Sequence, residues 1–146
     1  MDASTDLMPL PMRERPVVER HADGRSTAVV TINGRPVELE WSRAAALALA
    51  ARRAPLVVEL ELLFSCLVRK TVRFHDVLPN GESVAVTDML RLCFRPVTAQ
   101  ACTMERAEHL GRQPVTPIDT PAARRLAPRR VRLDHARGRW WGEFGF

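Results

Sequence analysis

The most distinctive chemistry in this chain belongs to three cysteines and four histidines. Cys93, Cys102, Met104 and His109 fall within 17 residues, and thiolate, thioether and imidazole donors together suit Cu(I) or zinc. The step of nine from Cys93 to Cys102 matches no structural zinc spacing, and no Cys-x-x-Cys pair occurs. Cys66 falls on the apolar side of a strand pattern, where a thiol packs as a small hydrophobe. Metal or thiol handling by Cys93, Cys102 and His109 is therefore an alternative function, ranked behind two others.

Nucleophilic catalysis needs a nucleophile, an adjacent base and a group that orients the base. His75 precedes Asp76 and His135 follows Asp134, but neighbours on a strand point to opposite faces, so neither pair is a ready-made dyad. His21 falls in a lead-in with three prolines. Gly-x-Ser-x-Gly, His-Glu-x-x-His and the Walker glycine loop do not occur, and the seven glycines fall mostly at turns. The expectation is a non-enzymatic protein with no cofactor. The carboxylate pairs Glu38/Glu40 and Glu59/Glu61 are each two apart on a strand pattern, so each pair shares a face. Four carboxylates on one face could hold a divalent cation. A solvated face opposite Arg69 and Arg73 is the expected role.

The C-terminal quarter carries the charge. Residues 112–146 hold eight arginines against Asp119, Asp134 and Glu143, while residues 1–111 hold 14 basic and 14 acidic side chains. The whole net charge of +5 thus sits at one end. Arg124, Arg125, Arg129, Arg130 and Arg132 form a dense run, Arg137 and Arg139 flank a turn, and Trp140 and Trp141 follow. Arginine forks and tryptophan faces are common anchors at protein interfaces. They also contact phosphates and stack on unpaired bases. These nine residues are the predicted partner-binding set. An acidic protein surface is the first partner expected, and nucleic acid the alternative. All basic residues but Lys70 are arginine, a bias that a G- and C-rich coding sequence also produces.

The elements that must position these residues read as hairpins. Residues 27–32 are rich in β-branched side chains, Asn33-Gly34 is the preferred type I′ turn pair, and Val37, Leu39 and Trp41 alternate with Glu38 and Glu40. Pro36 belongs at a strand start or on an edge. Ser42 can cap a helix over 42–53, rich in Ala and Leu, with Arg52 and Arg53 in its last turn. From 56 to 75 the even positions are apolar at all but Lys70. That period of two predicts a long strand with a bulge or break, the rival being a helix over 55–70. Residues 84–95 read as a strand antiparallel to it, ended by Pro96. Residues 98–110 read as a helix closed by Gly111, and Thr120-Pro121 can start one helical turn through Leu126. A final hairpin spans 130–146, with Arg137-Gly138 as its turn and Trp140, Trp141, Phe144 and Phe146 as its aromatic face.

The predicted fold is α+β, an antiparallel sheet of hairpins packed by two short helices. A flexible segment over 1–24 precedes a core domain over 25–111, and a basic Pro/Arg-rich linker with an aromatic hairpin covers 112–146. The expected core holds Val30, Ile32, Leu39, Leu47, Leu60, Leu62, Phe64, Val72, Leu90, Leu92 and Phe94. Apolar runs fall short of the about 20 residues that cross a bilayer, so no membrane association is expected. An odd cysteine count without framework spacing, and no signal-peptide pattern, point to the cytoplasm. The long apolar strand would offer an edge for a homo-oligomer. Together these features predict a small non-catalytic cytoplasmic binding or accessory protein that engages a partner through its basic and aromatic C-terminal region. A nucleic-acid-binding protein using the same residues is the first alternative.

Overall fold

Turn chemistry sets the first strands. The computed structural model describes residues 15–77, 83–99, 115–118 and 120–146. Strand β2 (Ser26–Ile32) turns back as β3 (Arg35–Trp41) through Asn33 and Gly34, at φ 52° and 78°. Two left-handed residues make the tight turn that matches strand twist. The two-residue loop pairs residues of opposite parity. Val30 and Ile32 therefore share the buried face with Val37, Leu39 and Trp41. Pro36 lies before the stretch of β3 that pairs on its other side, where its missing donor costs nothing. Within the expected flexible lead-in, β1 (Glu19–Arg20) pairs with the start of β2. Residues 1–14 lie outside the described residues.

Strands β9 (Arg130–Ala136) and β10 (Arg139–Gly145) complete this sheet in the order β1-β2-β3-β9-β10. Arg137 and Gly138, at φ 52° and 74°, form the expected turn. β9 runs parallel to β3, so the sheet is mixed, not purely antiparallel. The C-terminal hairpin is thereby part of the core, with Val131, Leu133 and Phe144 buried.

The run over 56–75 is two strands, β4 (Leu56–Phe64) and β5 (Val68–His75), paired antiparallel across a loop at 65–67. Ser65 closes that loop. Its hydroxyl donates to Leu67 O at 2.9 Å and accepts from Leu67 N at 3.3 Å. Likewise the stretch over 84–95 divides into β6 (Val84–Thr87) and the start of β7 (Leu90–Ala99). Thr87 Oγ1 accepts from Met89 N at 3.1 Å in the turn between them. β7 pairs with β4 in parallel, not antiparallel as expected. It passes Pro96, whose carbonyl accepts from Ile118 N at 2.9 Å on the side away from β4. The proline nitrogen faces that same side, so the ladder to β4 loses no bond. Thr98 and Ala99 are therefore strand, not the start of a helix; the rest of the expected helix over 98–110 lies outside the described residues. Strand β8 (Val115–Pro117) pairs with the end of β7, giving a second sheet in the order β5-β4-β7-β6 with β8 beside β7.

The two sheets face each other across one apolar layer. Ala28, Val30, Val37, Leu39, Trp41, Val131, Leu133 and Phe144 of the first meet Leu56, Val58, Leu60, Val86, Leu90 and Leu92 of the second. Phe64, Val72 and Phe94, also expected in the core, are only half-buried. Along one side β10 lies against β5, and Trp140 stacks on Phe74 at 6.0 Å between ring centroids. The strands approach so closely that a Cβ on Gly142 would lie 2.9 Å from Val72 Cγ1.

Helix α1 (Arg43–Ala50) starts where expected. Ser42 Oγ accepts from Ala45 N at 3.0 Å and donates to Asp134 Oδ1 at 2.5 Å, tying the cap to β9. Ala45 and Leu49, four apart, form the buried stripe. Leu47, expected in the core, projects from the other side and is 63% exposed. The helix ends before Arg52 and Arg53, and Arg52 Nη2 instead reaches Asp76 Oδ1 at 2.6 Å. Helix α2 (Pro121–Arg124) has Thr120 as its cap, accepting from Ala123 N at 3.1 Å. No helix among the described residues is long and apolar enough to cross a membrane.

Candidate functional site

The predicted partner-binding residues do not converge on one patch. Arg125 follows α2, and Arg129 and Arg130 stand at the start of β9. Arg137 and Arg139 occupy the far tip of the same hairpin. Seven strand residues at about 3.3 Å each separate the ends by roughly 23 Å. The tryptophans are also divided. The two-residue turn pairs Trp140 with His135 and Trp141 with Asp134. Trp140 therefore turns to the core side with Leu133 and Phe144, while Trp141 turns outward and is 49% exposed. The expected single aromatic face is two faces.

Arg130, Arg132 and Trp141 do belong to a continuous surface, the outer face of the first sheet. Four strands contribute alternate residues there: Thr27 and Val29, Glu38 and Glu40, Arg130 and Arg132, Trp141 and Glu143. Residues 17–21 form a wall beside β2, and a groove of about 950 Å³ runs between. A row of opposite charges crosses it. Arg25 Nη1 donates to Glu40 Oε1. Arg132 lies 3.3 Å from Glu40 Oε2 and 3.5 Å from Glu143 Oε1. Arg130 lies 3.8 Å from Glu38 Oε2. Four carboxylates (Glu19, Glu38, Glu40, Glu143) and three guanidinium groups line the groove. It has no net positive field to attract a polyanion. The pair Glu38/Glu40, expected to face water, does so.

The other expected solvated pair does not. Glu59 and Glu61 are 3% and 4% exposed, on the outward side of β4. β4 is buried on both faces, and on the outward one the side chains of Arg73 and His75 from β5 and Arg95 from β7 close over the carboxylates. Glu59 Oε1 is 2.8 Å from His75 Nε2, and Glu59 Oε2 accepts from Arg95 Nη1 at 2.7 Å. Glu61 Oε2 is 2.6 Å from Arg73 Nη1. Burial pushes the Glu59 carboxyl up, but the hydrogen bonds and charges of His75 and Arg95 outweigh it and hold the group below its ordinary value. Cys93 stands opposite Glu59 in the β4–β7 register. Burial, with the Glu59 charge, pushes its thiol up to about 11. A thiol so disfavoured as thiolate is a poor nucleophile.

Each carboxylate here is already held by cations on the flanking strands. This geometry pins β4 in register, since a slip by one residue would drive Glu59 and Glu61 into the apolar layer. Sequence reading missed this cluster because periodicity identifies two faces without showing that both are covered. Among the described residues no group of three His, Cys, Asp or Glu side chains is placed to hold a metal ion. Cys102 and His109 lie outside the described residues.

Compared with the models of known protein families, with curated proteins and with solved structures, the chain matches none.

Proposed function

We propose that this chain is a binding or accessory protein without a catalytic centre of its own. Its partner surface is the groove on the outer face of the first sheet. The observation that carries this reading is the meeting of Arg130 and Arg132 with Arg25, Glu38 and Glu40 in one open groove, with Trp141 bordering a small adjoining cavity that shares Arg25, Glu40 and Arg132. Exposed apolar side chains stand beside the charges, with Val17 at 79% and Val29 at 54%. A surface with both charge signs and apolar anchors suits a folded or extended protein partner of mixed charge. The expected uniformly acidic partner fits less well, because the groove arginines already face carboxylates.

Nucleic-acid binding by Arg125, Arg129, Arg137 and Arg139, all exposed, is the second reading. Titration of a labelled mixed-sequence oligonucleotide at low and physiological salt separates the two. The proposal expects weak binding with a shallow salt slope. Tight binding that weakens steeply with salt, and is lost when those four arginines become alanine, would replace it.

A further inference from the structure

The homo-oligomer expected from the long apolar strand cannot form through that element as read, because β4 is interior to its sheet. The edges elsewhere carry the devices that keep sheet edges from pairing. β1 has two residues and β8 three, the latter ending in Pro117. β6 has four residues and an irregular register between Ala85 and Thr87. β5 is long, but Arg69, Lys70 and Arg73 load it with positive charge.

β10 is different. Its register against β9 is unbroken over seven residues, and it contains neither proline nor lysine. The turn makes Ala136 and Arg139 a hydrogen-bonded pair, so Arg139, Trp141, Glu143 and Gly145 direct their backbone groups to β9. The bond from Ser42 N to Leu133 O agrees, since it orients the alternate residues of β9 towards the β3 side. Trp140, Gly142 and Phe144 therefore direct N–H and C=O away from the sheet. Among the described residues none of these six groups has a backbone partner.

We propose that β10 pairs antiparallel with β10 of a second copy, about a two-fold axis at Gly142, to make one continuous ten-stranded sheet. This register uses all three outward-facing residues, placing Trp140 opposite Phe144 of the second copy. On the outer face it sets Trp141 against Glu143 of the second copy. Arg139 lies diagonal to that same Glu143, within reach of a long side chain. The two-fold repeats both contacts, so the strand is complementary to itself in charge. Trp141, 49% exposed in the monomer, gains a cross-strand neighbour in Glu143 of the second copy. The grooves of the two copies then lie on one continuous face.

The test is the mass of the full-length chain in solution over a concentration series, with a charge-swap cycle. Wild type is expected to be a concentration-dependent dimer. Arg139→Glu and Glu143→Arg each place like charges together twice and should weaken the dimer about tenfold. The double variant R139E/E143R restores opposite signs and should recover it. Thermal unfolding of each variant establishes that it is folded. A wild-type monomer at every concentration would overturn the proposal. So would a dimer indifferent to both single variants, which would assign association to another surface.

Discussion

At the residue scale the cluster around Glu59 shows how burial changes the meaning of a charge. Glu59→Gln keeps the shape but leaves Arg95 and His75 facing a neutral group, at a cost of about 2 kcal/mol. That is less than for a fully enclosed pair, because both cations are partly exposed. Urea unfolding should show it as a lower midpoint with unchanged slope. The folded carboxyl titrates below its ordinary value of 4.5. Its contribution is therefore complete above that pH and is lost as pH falls through the folded value. Stability of the wild type should fall on acidification across that window, and Glu59→Gln should flatten the fall. The cysteines make a second prediction. Cys66 is exposed and Cys93 buried with a raised thiol, so brief alkylation near pH 8 followed by peptide mapping should modify Cys66 and spare Cys93. Equal labelling of the two would contradict the placement of Cys93 beside Glu59. Alternation separates Glu59 and Glu61 from the apolar residues around them; it cannot show that the polar face is also covered.

At the element scale, what the sequence revealed depended on loop parity. The turns at Asn33-Gly34 and Arg137-Gly138 contain two residues, which swaps parity, and both hairpins were legible in position, the first also in turn type. Parity also decides the tryptophans. With Val131 and Leu133 in the core, a two-residue turn sends Trp140 and Phe144 inward and Trp141 outward. The loop at 65–67 has three residues and pairs Phe64 with Val68. Even positions then stay on the core face through the turn, so 56–75 reads as a long strand whose break has no marked position. Ser65 and Cys66 give no glycine or proline signal to correct it. The parallel pairings of β3 with β9 and β4 with β7 were illegible, because strand partners far apart in sequence leave no local mark. Two substitutions test these elements. Gly142→Ala should cost about 1–3 kcal/mol, since its Cβ would press on Val72 and Leu133. Ser42→Ala should cost about 1 kcal/mol through the lost helix cap, with a further loss from the bond to Asp134. Denaturant titration reads both.

At the scale of the whole molecule, the charge of Arg130, Arg132, Arg137 and Arg139 sits on a hairpin that is part of the first sheet. The hairpin carrying it supplies core residues on one face and groove residues on the other, and three of the groove carboxylates come from β3 and β10. Pairing across strands, of Arg130 and Arg132 with Glu38, Glu40 and Glu143, is what the charge count could not show. The central claim is that the groove is where a protein partner docks. A photo-crosslinking residue at Val29, 54% exposed in the groove, can be compared with one at Leu47, 63% exposed on the outer side of α1. In extract of the source cell, Val29 should capture a discrete protein adduct that disappears when Arg132→Glu and Trp141→Ala are combined, and Leu47 should not capture it. Capture of the same species from Leu47, or of nucleic acid alone from Val29, would contradict the account.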